Sequence, residues 1–284
     1  MNNLPIITPI IMAGGDSKRM GTDKATLIWQ RQPLISHMIN VASSLNNSVY
    51  IVTDKTIFYR QLLAKFNHDP VNYSHEYDDQ NNLITNQQCE SQINKSTVNL
   101  HWINDSQKQG PLVGFYTGLI AIQATKNYPI VPQAKQSFIA TSTVPKCSKL
   151  ALNRSHHHPI IAQEQQTEHW FLLLSCDLPL LQPTDLQKWA QSLPQLPADT
   201  IAYLPSAPMH SSESVRLWHC LCGFYRSQCF ASLEMAIHQG ERSFQRWLRG
   251  QVVAAIPDVA PLTLTNCNTP EQWRQVQALE LSTN

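Results

Sequence analysis

Ile6-Ile7-Thr8-Pro9-Ile10-Ile11-Met12 runs directly into Ala13-Gly14-Gly15-Asp16-Ser17-Lys18-Arg19-Met20-Gly21-Thr22-Asp23-Lys24. The first seven residues form a continuous apolar run, which reads as a strand buried on both faces. The next stretch turns polar, basic and rich in glycine. The chain has nine glycines; three lie between Met12 and Lys24, and three more are Gly110, Gly114 and Gly118. A glycine-poor chain that concentrates glycine in two places needs unusual backbone geometry there. Such a loop brings backbone N–H groups close to phosphate oxygens. Lys18, Arg19 and Lys24 add positive charge, Arg as a bidentate fork and Lys as a mobile point charge. Neither the G-x-x-x-x-G-K-[ST] loop nor the dinucleotide G-x-G-x-x-G is present. The physical reading is a loop that binds an anion.

The elements that follow keep the alternation this strand begins. Pro33–Leu45 reads as a helix, Val49–Thr53 as a strand, Ile57–Phe66 as a helix and Leu100–Ile103 as a strand. Pro111–Ala124 reads as a helix, Trp170–Cys176 as a strand, and Thr184–Ser192 as a helix opened by a P-T-D cap. Strands at Thr200–Leu204, Leu221–Tyr225 and Val252–Ile256 alternate with helices at Cys229–Gln239, Phe244–Leu248 and Pro270–Leu281. Several strands are apolar on both faces, so the pattern predicts an α/β fold with a mostly parallel sheet covered on both sides. Two stretches break the rhythm, at about 74–98 and about 125–169. Neither has a sustained period or enough apolar residues for its own core, and both read as surface insertions in one domain spanning residues 1–284.

The chain has 284 residues, of which 42% are hydrophobic and 14% charged, with a formal net charge of +1. That balance implies no broad basic face for nucleic acid. No apolar run approaches the roughly 18 residues of a membrane span. The apolar opening has no basic region before it and reads as a strand rather than a signal peptide. The seven cysteines form no C-x-x-C pair, which argues against structural zinc and fits reduced thiols in a cytoplasmic protein. Cys220 and Cys222, at i and i+2, read as a thiol pair on one face of a strand. The run His156-His157-His158 reads as a solvated loop, since adjacent histidines rarely point at one ion. Trp170, Trp189, Trp247 and Trp273 read as core.

A second candidate is Ser175-Cys176-Asp177-Leu178-Pro179, at the end of an apolar strand. A carboxylate there projects from the edge of the sheet where open α/β folds bind ligands. Beside phosphates it suits Mg²⁺, which takes one or two carboxylates plus phosphate oxygens. Asp105 also ends a strand, in Asn104-Asp105-Ser106.

Together these residues resemble the molybdenum cofactor guanylyltransferases, which share a Rossmann-like three-layer αβα sheet with sugar-phosphate and isoprenoid nucleotidyltransferases. The family pattern of L-A-G-G, a spacer, R-M-G and D-K is nearly intact, with Met12 in place of Leu. Pro33-Leu34 is similar to the K-P-L helix entry, and Asp105 to an E-D-S-type acid. Gly110-Pro111-Leu112-Val113-Gly114 is similar to G-P-L-A-G, and Cys176-Asp177-Leu178-Pro179 to C-D-x-P. Gly240-Glu241-Arg242-Ser243 resembles a G-x-R segment, and Asn266-Cys267-Asn268-Thr269-Pro270 the N-x-N-T-P close. Two departures stand out. Val52-Thr53-Asp54 occupies the place of an Asn after the second strand, and Trp218-His219-Cys220 that of an H-P dipeptide.

The resemblance implies transfer of GMP from GTP to molybdopterin, forming the guanine dinucleotide cofactor and pyrophosphate. It assigns Met12, Ala13, Gly14, Gly15, Lys24, Asp105 and Asp177 to the nucleotide, and Asn266 and Asn268 to the pterin. Arg19, Lys24 and Asp177 become the catalytic set, with Asp177 on Mg²⁺. Trp218 fits either the core or a surface that stacks on a flat ring. Molybdopterin-handling and acceptor molybdoenzyme proteins are the implied partners. A cytidylyl- or sugar-phosphate transferase on the same fold, or a non-catalytic carrier of nucleotide or cofactor, are the alternatives.

Overall fold

Side-chain alternation along the central strands decides the layering. In Ile6–Met12 (β1), Ile7 and Ile11 join one apolar cluster while Ile10 joins a second. In His169–Ser175, Trp170, Leu172 and Leu174 face the first cluster, and Phe171 and Leu173 the second. Period two with apolar residues in both phases buries both faces of the sheet, as the sequence predicts.

The computed structural model describes residues 5–14, 20–66, 73–77, 83–84, 98–126, 168–206 and 217–283. After β1, the strands are β2 (Ile28–Trp29), β3 (Gln32–Pro33), β4 (Ser48–Thr53), β5 (Tyr73–Tyr77), β6 (Leu83–Ile84) and β7 (Asn99–Asn104). The remaining strands are β8 (His169–Ser175), β9 (Ala202–Leu204), β10 (Cys222–Arg226) and β11 (Val253–Ala255). The helices are α1 (Leu34–Ser43), α2 (Thr56–Phe66), α3 (Pro111–Lys126), α4 (Pro183–Ala190), α5 (Cys229–His238), α6 (Phe244–Leu248) and α7 (Pro270–Thr283). Nine strands form one sheet in the order β11-β9-β10-β8-β1-β4-β7-β5-β6. Within this sheet β10 runs antiparallel to β8 and β9, and β6 antiparallel to β5, the other pairings being parallel; β2 and β3 form a separate antiparallel pair.

Helices α1, α2 and α4 cover one face through residues such as Ile35, Met38, Tyr59, Leu63, Leu186 and Trp189. Helices α3, α5 and α6 cover the other through Phe115, Leu119, Leu233, Phe244 and Trp247. A Cβ at Gly118 would lie 3.1 Å from Val52 Cγ2, so glycine lets α3 settle onto β1 and β4. Pro9 sits inside β1 without a donor, yet pairing with β4 begins only at Ile10. Just before it, the side chain of Asn46 donates to the Ile7 carbonyl at 2.8 Å.

Two sequence expectations change. The stretch at about 74–98 is not wholly a surface insertion, since β5 and β6 extend the sheet beyond β7. Backbone pairing with the edge that β7 would otherwise present needs no hydrophobic period, which is why the period did not reveal it. The rest of that stretch lies outside the described residues, as do residues 127–167 with His156–His158. Cys220 and Cys222 do not form a pair on one face. Cys220 lies in the turn before β10 and joins the second cluster, while Cys222 is in the strand and joins the first. The described cysteines are buried and unbridged, and the four tryptophans read as core are buried.

Candidate active site

Strands β1, β4, β7 and β8 run parallel, so their C-terminal ends meet at one edge of the sheet. A cleft of about 350 Å³ opens there. Met12, Ala13 and Gly14 enter it from β1, Asp105 from the end of β7, and Asp177 from the end of β8. This is the edge at which doubly wound sheets bind their ligands.

Lys24 joins three segments that are far apart in the chain. Its Nζ donates to Asp177 Oδ2 at 3.1 Å and to Asn268 Oδ1. The other oxygen of Asp177 accepts from the Ser175 hydroxyl at 2.6 Å, and its carbonyl accepts from Cys267 N–H at 3.2 Å. The residue before Lys24 fixes where it starts. Asp23 caps a short 3₁₀ turn by accepting from Ala25 N–H at 3.1 Å. Its second oxygen accepts from Lys55 Nζ and from the Tyr59 hydroxyl, each at 2.7 Å. Burial and the Asp23 carboxylate hold the Tyr59 phenol well above its ordinary range, so it acts as a donor. The loop exit is thereby tied to α2.

Loops after β4 and β7 form the opposite wall. Thr53 Oγ1 donates to Ala13 O at 2.6 Å, and Ala13 N–H donates to Val52 O at 3.0 Å. Both backbone groups of Ala13 are thus engaged by β4, and its part is to hold the loop's base. Asp54 pairs with Lys108, which reaches back from the loop before α3. Asp105 lies deeper. Burial raises its carboxyl pKa, and nearby Asp54 adds to the rise, while a hydrogen bond from the Lys108 backbone and the Lys108 charge oppose it. Its Oδ1 is buried without a hydrogen-bond partner among the described residues. A buried acceptor in that state is costly and suits a donor brought by a ligand. Gly114 allows this packing, because a Cβ there would meet Met12 Cε at 2.5 Å and Asp105 Oδ2 at 3.1 Å. Gly110, at φ +98°, turns the chain into α3 in a conformation that favours glycine. It places the N-terminus of α3, where a helix favours negative charge, at the cleft.

The structure therefore brings together Met12, Ala13, Gly14, Lys24, Asp105 and Asp177 from the sequence-predicted set, with Asn268 against Lys24. Asn266 is exposed and does not line the cleft. Gly15 and Arg19 lie outside the described residues. Trp218 packs against the second core cluster, with its backbone bonded to Gln245, and does not line the cleft. Sequence reasoning gave no role to Asp23, Lys55, Tyr59, Ser175 or Lys108. The signal for Asp23 and Ser175 was adjacency to a chosen residue; Lys55, Tyr59 and Lys108 carried none.

Among the described residues no group of three or more His, Cys, Asp or Glu could hold a metal alone. A single carboxylate with an adjacent hydroxyl, in a cleft that also offers an ammonium, fits a divalent ion that arrives with phosphate oxygens of its own.

The model of the MobA-like NTP transferase domain matches residues 9–255. A relative from Nostoc sp., named "Probable molybdenum cofactor guanylyltransferase", is 31% identical over 277 residues, covering 98% of this chain and 92% of the relative. Among solved structures, the molybdopterin-guanine dinucleotide biosynthesis protein A from Archaeoglobus fulgidus superimposes with a TM-score of 0.55 at 14% identity, covering 97% of this chain and 99% of that one. A 4-diphosphocytidyl-2C-methyl-D-erythritol synthase from Anaerococcus prevotii superimposes at 0.56 with 10% identity, covering 98% and 96%. The shared fold alone does not select the nucleotide.

Proposed function

The chain belongs to the MobA-like NTP transferase family, and from that premise we propose that its cleft transfers GMP from GTP to molybdopterin, releasing pyrophosphate. The enzyme is a nucleotidyltransferase of molybdenum cofactor biosynthesis that depends on a divalent metal, for which Mg²⁺ is the natural candidate. In the reaction a phosphate oxygen of molybdopterin attacks the α-phosphorus of GTP. A new P–O bond forms and the bond from the α-phosphorus to the bridging oxygen breaks, leaving pyrophosphate. The nucleophile is already an anion, so no strong general base is required. The protein contributes position and charge.

The observation that carries this reading is the meeting of Lys24, Asp177 and Asn268 at the C-terminal edge of the sheet. In the proposed assignment Lys24, with Arg19, offsets charge on the triphosphate. Asp177 holds the Mg²⁺, and Ser175 orients its carboxylate. Mg²⁺ supplies Lewis-acid polarisation of the phosphoryl oxygens. Met12, Gly14 and Gly15 cradle the nucleotide on the base that Ala13 holds against β4. Asp105 accepts from the adjacent N–H donors of guanine, using the oxygen that lacks a partner here. Asn266 and Asn268 serve the pterin side, with molybdopterin-handling and acceptor molybdoenzyme proteins as further partners. No helix among the described residues is long and apolar enough to cross a membrane.

The test is pyrophosphate release from GTP and molybdopterin in Mg²⁺, with CTP and UTP in parallel. Release with GTP alone is expected. Release with CTP or UTP in preference, or none with GTP, overturns the reading.

A further inference from the structure

Asn268 meets Lys24, a lining residue of the cleft, rather than standing apart from it. Its Oδ1 accepts from Lys24 Nζ, across 244 positions of sequence. The same ammonium also bonds Asp177 Oδ2, so a metal that takes that oxygen displaces one of its partners. An ammonium on a four-carbon stem then needs a second anchor to stay over the phosphates, since its rotamer freedom is large. Asn268 is placed to be that anchor. Its position is itself held. Its N–H donates to Gln272 Oε1 at 2.7 Å, and the preceding Cys267 N–H donates to the Asp177 carbonyl at 3.2 Å. Behind it, Trp273 packs edge-on against Trp29 with ring centroids 5.9 Å apart. Met20, Leu34, Cys267 and Val276 complete this small apolar cluster. The close of the chain is thus packed against the exit of the first loop, and Asn268 points from rigid backing.

We propose that Asn268 is a positioning residue of the nucleotide site, its side-chain carbonyl holding the Lys24 ammonium for the triphosphate before any second substrate binds. This rests on the nucleotidyltransferase reading but adds a role which that reading does not require. A residue serving the pterin alone would leave nucleotide affinity untouched.

The experiment measures binding of α,β-methylene-GTP with Mg²⁺ to the full chain by calorimetry, without molybdopterin. Asn268→Ala is expected to weaken binding about fivefold to tenfold, the upper range of an ordinary net hydrogen bond, as suits a partly exposed site. Lys24→Ala should weaken it at least about tenfold. In the Lys24→Ala background, adding Asn268→Ala should cost less than about twofold, because the two act through one contact. Gln272→Ala, which releases only the Asn268 N–H, should give a smaller loss in the same direction and serves if Asn268→Ala does not fold. Unchanged affinity in Asn268→Ala, or in Gln272→Ala as its substitute, overturns the proposal, as do losses that add fully. If the wild-type chain binds no nucleotide, the transferase reading falls and takes this one with it.

Discussion

Strand β8 is preceded by Glu168, which meets Arg226, and followed shortly by Asp177, which meets Lys24. The two pairs are built differently. Arg226 is 3% exposed, and its guanidinium lies 4.5 Å from the Trp170 ring centroid. It donates to Glu168 at 3.1 Å and to the carbonyls of Ala198 at 3.1 Å and Pro197 at 3.0 Å. Fixed backbone acceptors on one side and a ring on the other leave it no alternative position. Lys24 and Asp177 are each about a fifth exposed, and the contacts of Lys24 with Asp177 and Asn268 join side chains from segments far apart in the chain. That pair can open toward a ligand. The first pair braces the sheet, and the second lines the cleft.

Four substitutions or conditions test the contrast. Asp177→Asn keeps the Ser175 contact and should leave the melting temperature within a few degrees, while cutting kcat at least about a thousandfold, or about 4 kcal/mol. Near-normal metal-dependent turnover would break the comparison at its functional end. Arg226→Ala should act in the opposite way. It orphans the Pro197 and Ala198 carbonyls and exposes Trp170, for about 2–3 kcal/mol of stability. The Glu168 contact adds little, because Glu168 is 43% exposed. Melting should fall by roughly 5–10 °C, with kcat of the folded enzyme unchanged; a kcat loss at constant melting temperature would contradict it.

Lys24→Ala should lower kcat/KM at least about tenfold, or about 1.4 kcal/mol. A steady-state assay that finds no change removes Lys24 from the phosphate role. The smallest effect concerns pH. Burial lowers the pKa of His37 from the ordinary 6.5, although its ring bonds the carbonyls of Leu181 and Pro179 in the loop after Asp177. Burial lowers that of His219 as well. The unfolded chain therefore binds these protons first. Stability is constant above the unfolded value and falls as pH drops below about 6.5 toward the folded pKa, by at most about 1.4 kcal/mol per pH unit for each histidine. Chemical denaturation at pH 7.5 and 5.5 should show this slope, and His37→Gln should flatten part of it. An unchanged slope would deny His37 its neutral, buried role.

The sequence was most legible where the chain's own period carried the information. Ile6–Met12 and Phe244–Leu248 lie where the pattern puts them, and the other predicted elements differ by at most two residues at either end. Met12, Ala13, Gly14, Lys24, Asp105 and Asp177 were legible as well, because parallel strands must deliver their C-terminal loops to one edge. Less legible were contacts that cross elements. Asp23 reaches Lys55 and Tyr59 over 32 and 36 positions, and nothing local to α2 marks Tyr59 as anything but a core residue.

Local pattern thus determined the three-layer sheet and the delivery of Met12, Ala13, Gly14 and Lys24 to one edge of it, since both follow from backbone geometry. The tertiary structure decided that β5 and β6 extend the sheet, that Cys220 and Cys222 serve different cores, and that Asn268 meets Lys24. These are matters of which distant surfaces come together. A hydrogen bond between residues 244 positions apart leaves no periodic trace in either segment, and only packing brings its two atoms into range.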